Sequence, residues 1–119
     1  MHLFPSLLAG ALLALAGTAS AQTAPQAKLL VEGHDLALAL CSVCHIAASD
    51  QTGTPMLTNP GPPFRTIANR AGVTKLSLRN FLLTTHSSTT PPFTMPNPQL
   101  SDRQIDAVVA YILSLRTQP

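Results

Sequence analysis

The chain has no tryptophan, one tyrosine and four phenylalanines in 119 residues. A small domain with so few large rings lacks the bodies that usually dominate core burial. Charge is equally sparse. Charged side chains make up 10% of the sequence, and the formal net charge is +2. Only two of the seven cations are lysines, Lys28 and Lys75, and the five arginines are scattered. This excludes a nucleic-acid binder, which needs a clustered basic face. Alternating strand patterns, internal repeats and charge runs are missing as well. Cysteine occurs twice only, at positions 41 and 44. A structural zinc site is thereby disfavoured, because such sites close a tetrahedron with two spaced ligand pairs.

Residues 1–21 contain no Lys, Arg, Asp or Glu. Residues 7–16 form an apolar run that ends shortly before Ala19-Ser20-Ala21. The pattern predicts a signal peptide with an A-x-A cleavage site after Ala21, although His2 is its only potentially basic group. The run is too short for a spanning helix, which needs about 20 apolar residues. Residues 22–119 are then one small domain, exported to the periplasm, with no membrane span after cleavage.

What this domain does have is Cys41-Ser42-Val43-Cys44-His45, a single C-x-x-C-H. Two thiols at that spacing suit covalent attachment to the two vinyl groups of a haem, with the adjacent imidazole placed beneath the ring. A redox-active disulfide is the rival reading. It works best at a helix N-terminus, where the dipole lowers the thiol pKa. Here the motif follows a helical pattern instead of opening one. A plain disulfide would close a tiny loop and constrain the unfolded chain very little. A bound haem would also supply the apolar body that the composition withholds, in a domain small enough to need a staple.

Helical periodicity predicts a first helix over residues 28–41, after a polar lead-in at 22–26. Gly33 would weaken a helix interior by about 1 kcal/mol, so its presence there implies close approach of another backbone. Residues 47–63 hold four prolines and two glycines and form a loop. Short helices are expected at 64–71, with Gly72 as its stop, and at 75–84, burying Leu78, Phe81 and Leu82. Pro91, Pro92, Pro96 and Pro98 exclude regular structure before residue 99. The last helix opens with a capping box at Ser101-Asp102-Arg103-Gln104, with Leu100 as a staple. Ile105, Val108, Val109, Ile112 and Leu113 follow at helical spacing, and Arg116 falls in the final turn. His34, beside Asp35 on the first helix, reads as a solvated surface group.

If His45 binds iron, a sixth position needs a ligand. Met56, Met95 and His86 can each supply one. Met95 stands in Thr94-Met95-Pro96-Asn97, 50 positions after His45 and just before the last helix. Met56 reads as a packing or surface residue in an early loop. A neutral imidazole also binds iron well, which keeps His86 open.

Together these residues resemble the class I c-type cytochromes: N-terminal helix, C-x-x-C-H, Gly-Pro loop, Met-Pro loop, C-terminal helix. The resemblance covers nearly all of residues 22–119. It implies an all-α cytochrome c fold whose terminal helices cross around one haem, with one or two short helices and long Pro-rich loops between. It implies one covalently bound haem c, with Cys41 and Cys44 as the thioether anchors. It implies His45 as the proximal and Met95 as the distal iron ligand. Gly61-Pro62 matches the family's proline near the proximal histidine, and Gly33 and Tyr111 match its helix-crossing positions. Ala37 departs from the pattern, where the family often has an aromatic residue.

The expected function is single-electron transfer between redox protein partners, a dehydrogenase or an oxidase, without catalysis. A haem subunit held in a periplasmic dehydrogenase complex is a second expectation. A haem enzyme or gas sensor is a third, and it would need an open sixth site. The polypeptide itself is then expected to hold an apolar cavity beside His45, walled by Phe64, Ile67, Leu78, Phe81 and the Met95 loop.

Overall fold

A computed structural model describes residues 23–84 and 95–117. The expected signal segment and His86 lie outside the described residues. Four α-helices follow in chain order: α1 (Ala24–Leu36), α2 (Phe64–Ala68), α3 (Lys75–Leu82) and α4 (Asp102–Ser114). No strand occurs among the described residues, and none of their helices is long and apolar enough to cross a membrane. The expected all-α architecture is the one observed.

Helix α1 begins four residues earlier than the periodicity predicts. Pro25 lies in its first turn, where the proline φ is already helical and the missing N–H has no intrahelical partner to lose. Residues 24–26 are therefore helix and not lead-in. At its other end α1 widens into a single π turn, Ala37–Cys41, which delivers the chain to the C-x-x-C-H segment.

Helices α1 and α4 form the central pair. A Cβ built at Gly33 would meet the Ala107 carbonyl carbon at 2.6 Å and Tyr111 Cβ at 2.8 Å. The glycine is therefore required by the approach of the α4 backbone, as the sequence implied. Ala37, one turn further on, is fully buried. Its small side chain is compatible with this close crossing where an aromatic would need more room. Ion pairing rims the contact, with Arg103 Nη2 2.7 Å from Glu32 Oε2.

The capping box of α4 forms as its sequence predicts. Ser101 Oγ accepts from the Gln104 amide, and Gln104 Oε1 accepts from the Ser101 amide at 2.9 Å. Ile105, Val108 and Val109 carry the core, together with Ile112, Phe64, Ala68, Leu78 and Leu82. Complete burial of a side chain such as Val108 stabilises by about 1.5–3 kcal/mol relative to exposure. α3 docks on α4 through Arg79, which bonds Asp102 at 2.6 Å and Asp106 at 2.8 Å.

Three expectations about the short helices need correction. α2 ends at Ala68 and not at 71, because Asn69 Nδ2 donates back to the Arg65 carbonyl at 2.7 Å and closes the turn early. Gly72 has φ +78° but lies beyond that end, in the turn that leads to α3. Phe81 is 38% exposed, whereas Leu78 and Leu82 are buried. The face that meets α4 is narrow, and Phe81 lies outside it. Arg116 falls past the end of α4. Its guanidinium reaches the Ala68 carbonyl at 2.9 Å and also the Val73 carbonyl, so it finishes α2 and the following turn rather than α4.

Candidate functional site

The C-x-x-C-H segment coils into a turn directly after the π turn. The amides of Cys44 and His45 both donate to the Cys41 carbonyl, at 3.1 and 2.9 Å. Ser42 Oγ donates to the Leu38 carbonyl at 2.5 Å, which binds the turn to the helix before it. Cys41, Cys44 and His45 thus occupy one rigid stretch of chain. Both cysteines are free thiols and half-buried. Burial, reinforced by the neighbouring Cys44, pushes the Cys41 thiol up to about 11. That is opposite to the low pKa a redox-active pair requires. The burial of Cys41 thus speaks against the disulfide-exchange reading.

His45 is buried, with 8% of the residue exposed. Nδ1 lies 2.8 Å from the Pro62 carbonyl oxygen. A carbonyl only accepts, so Nδ1 carries the proton and Nε2 is the nitrogen with a free lone pair. The ring packs at a tilt against Phe64, with centroids 5.4 Å apart. Gly61 makes this arrangement possible. A Cβ at that position would meet His45 Nδ1 at 2.6 Å and Nε2 at 2.9 Å. The amide of Gly61 also donates to the Cys44 carbonyl at 2.7 Å. The Gly61-Pro62 pair is therefore the wall on which the imidazole leans.

These features fit a covalently held haem. Two thiols and one imidazole with its tautomer fixed are held in one turn, and the loop across from them leaves room only for the imidazole itself. Met95 is half-buried and packs against the same apolar cluster as Cys41, Ile67 and Val73. The residues between Thr84 and Met95 lie outside the described ones. Of the named walls, Phe64 and Leu78 are buried and Ile67 borders the cluster, while Phe81 is on the surface. Met56 is 83% exposed, the most exposed of the large apolar residues described.

Two residues near the site carry more than their sequence context suggested. His34 is tied into the site's loop, and is not the solvated group expected. Its Nε2 lies 2.9 Å from Asp50 Oδ1, and its Nδ1 lies 3.2 Å from Asp35. Its ring meets Tyr111 edge-on with centroids 5.3 Å apart, and Tyr111 donates its hydroxyl to the Ala47 carbonyl at 3.2 Å. Hydrogen bonding to Asp50, then Asp35, raises the His34 pKa, and the same contact lowers that of Asp50. Gln51 went unnoticed in the sequence. Nothing marks one glutamine in a Gly/Pro loop, yet its amide makes four contacts within the segment from Ser42 to Gly53.

A family model for cytochrome c matches residues 30–116. No curated protein and no solved structure matches the chain.

Proposed function

The chain belongs to the cytochrome c family, which binds covalent haem c and transfers electrons, and on that premise we propose that it is an exported monohaem carrier with His45 and Met95 as axial ligands. One observation carries the assignment of His45: its Nδ1–H is committed to the Pro62 carbonyl at 2.8 Å, which presents Nε2 as the metal-binding atom. Each cysteine thiol would add its S–H across one vinyl group, Sγ to carbon and the proton to the other carbon, so that no atom leaves. The bound haem supplies an iron that gains and loses a single electron.

The protein's own groups do the rest. Pro62 fixes the imidazole tautomer and keeps the ring from turning. Phe64 covers one side of the imidazole and keeps water from it. Met95, half-buried at the border of the core and followed by the stiff Pro96, offers a thioether from a segment without helix or strand. Such a ligand favours the ferrous state and holds the potential above that of two imidazoles. The apolar run at 7–16 and the Ala19-Ser20-Ala21 site support export to the periplasm, where redox partners would be met. With only two lysines, docking to those partners would depend modestly on salt.

The test starts with haem-peroxidase staining of a denaturing gel. A stained band is expected from the intact protein and none after both cysteines are replaced by alanine. A band that persists in the double variant removes the attachment. Met95→Ala should keep the haem, admit carbon monoxide to the ferrous protein and abolish the weak near-infrared sulfur-to-iron band of the ferric form. Survival of that band would assign the sixth position to another thioether, with Met56 the first residue to replace, and its absence from the unmutated protein would point to His86.

A further inference from the structure

Every main-chain carbonyl from Cys41 to Ala47 has a partner. Those of Cys41, Val43, Cys44 and Ile46 receive backbone amides: of Cys44 and His45, of Met56, of Gly61 and of Phe64 respectively. That of Ala47 receives the Tyr111 hydroxyl. The two others, Ser42 and His45, receive the same side chain. Gln51 Nε2 lies 3.5 Å from the Ser42 oxygen and 3.3 Å from the His45 oxygen. Its other hydrogen goes to the Gly53 carbonyl at 2.9 Å. Gln51 Oε1 accepts from the Ala47 amide at 2.8 Å. The assignment of oxygen and nitrogen in this amide is forced, because three carbonyls face one end and an N–H faces the other.

We propose that Gln51 is the positioning residue of the proximal ligand. It grips the main chain on both sides of Ile46, at the His45 carbonyl and at the Ala47 amide. Pro62 fixes the ring of His45 through Nδ1; Gln51 fixes the backbone from which that ring projects. With both ends held, the plane of the imidazole has one orientation. A backbone shift at His45 would have to break the Pro62 bond or tilt the ring. Half-burial of Gln51 gives the grip its value, since a poorly hydrated carbonyl left without a donor is destabilising. The inference rests on His45 being the iron ligand.

The experiment uses the haem-bearing protein. The four haem-methyl proton resonances of the ferric form report the orientation of the axial imidazole plane. Gln51→Leu removes all four contacts at similar volume. Gln51→Glu keeps the acceptor for the Ala47 amide and loses the donors, which isolates the grip on the carbonyls and answers the question if the leucine variant does not accumulate. Asn69→Ala is the comparison, because Asn69 also ties a loop, bonding the Arg65 carbonyl and the Thr117 amide, but away from His45. Both Gln51 variants are expected to keep covalent haem and to move the haem-methyl resonances by more than their line widths. Asn69→Ala should lower the melting temperature and leave the resonances in place. Gln51 variants that behave like Asn69→Ala overturn the proposal alone. An unmutated protein without covalent haem removes the reading beneath it.

Discussion

The crossing of α1 with α4 and the turn that holds His45 are built on opposite principles. The crossing is made by absent atoms. Gly33 has no side chain, Ala37 and Ala107 have small ones, and the two backbones close until no Cβ fits between them. The turn is made by present polar atoms. Gln51, Pro62, Gly61 and Tyr111 reach its carbonyls, amides and ring from four directions. Apolar contact tolerates no added volume but asks nothing about direction. Hydrogen bonds demand direction. The crossing supplies stability, and the turn holds one imidazole in a fixed orientation.

The crossing is most sensitive at Gly33. Gly33→Val places two methyl groups where the Ala107 carbonyl stands, so the helices must separate along their whole contact. The expected cost is about 3 kcal/mol or more, the upper end for overpacking, read by denaturant titration. A loss under roughly 1 kcal/mol would show that the crossing is looser than its geometry.

Tyr111 joins the two regions, since it packs at the crossing and bonds the carbonyl two residues after His45. Tyr111→Phe keeps the packing and strands the Ala47 oxygen. A loss of about 1–2 kcal/mol is expected. Hydrogen exchange should increase around residues 46–51 and stay unchanged in α4. Equal acceleration in both places would make the turn and the crossing a single unit.

The smallest effect is the one at His34, which ties α1 to the 47–53 loop in a pH-dependent way. Its folded pKa is raised by Asp50 and Asp35, with Tyr111 as the remaining titratable group against its ring. Its contribution to stability is therefore fully present below the unfolded value of about 6.5. It is lost as pH rises through the higher folded value. Asp50 behaves in the opposite sense. Its folded pKa is depressed, so its share fades as pH falls below the ordinary carboxylate range. His34→Gln should flatten the decline in melting temperature from pH 6 to 8. A decline of unchanged slope would place its origin in another group.

The same division explains what could be read along the chain. The α4 start was legible because a capping box is local: Ser101 and Gln104 are three positions apart and bond each other. Gly33 was legible because a glycine inside a helical pattern needs a reason, and close approach is the commonest one. The early start of α1 escaped because Pro25 in a polar stretch reads equally as a linker. Phe81 was expected in the core because helical spacing sets a face without setting its width. His34 and Gln51 escaped for one reason: Asp50, 16 positions from His34, and the carbonyls facing Gln51 come within reach only when the 47–53 loop folds back.

The all-α class, the family, the single C-x-x-C-H with its imidazole and the α4 cap were legible along the chain, because each depends on residue spacing within one stretch of it. Only the folded chain settled which nitrogen of His45 stays free, which side chain grips its carbonyl, and why position 61 admits no side chain. Those are facts about what a distant segment brings to a given atom. Hydrogen-bond direction and van der Waals exclusion act over a few ångströms of space, whatever the separation in sequence.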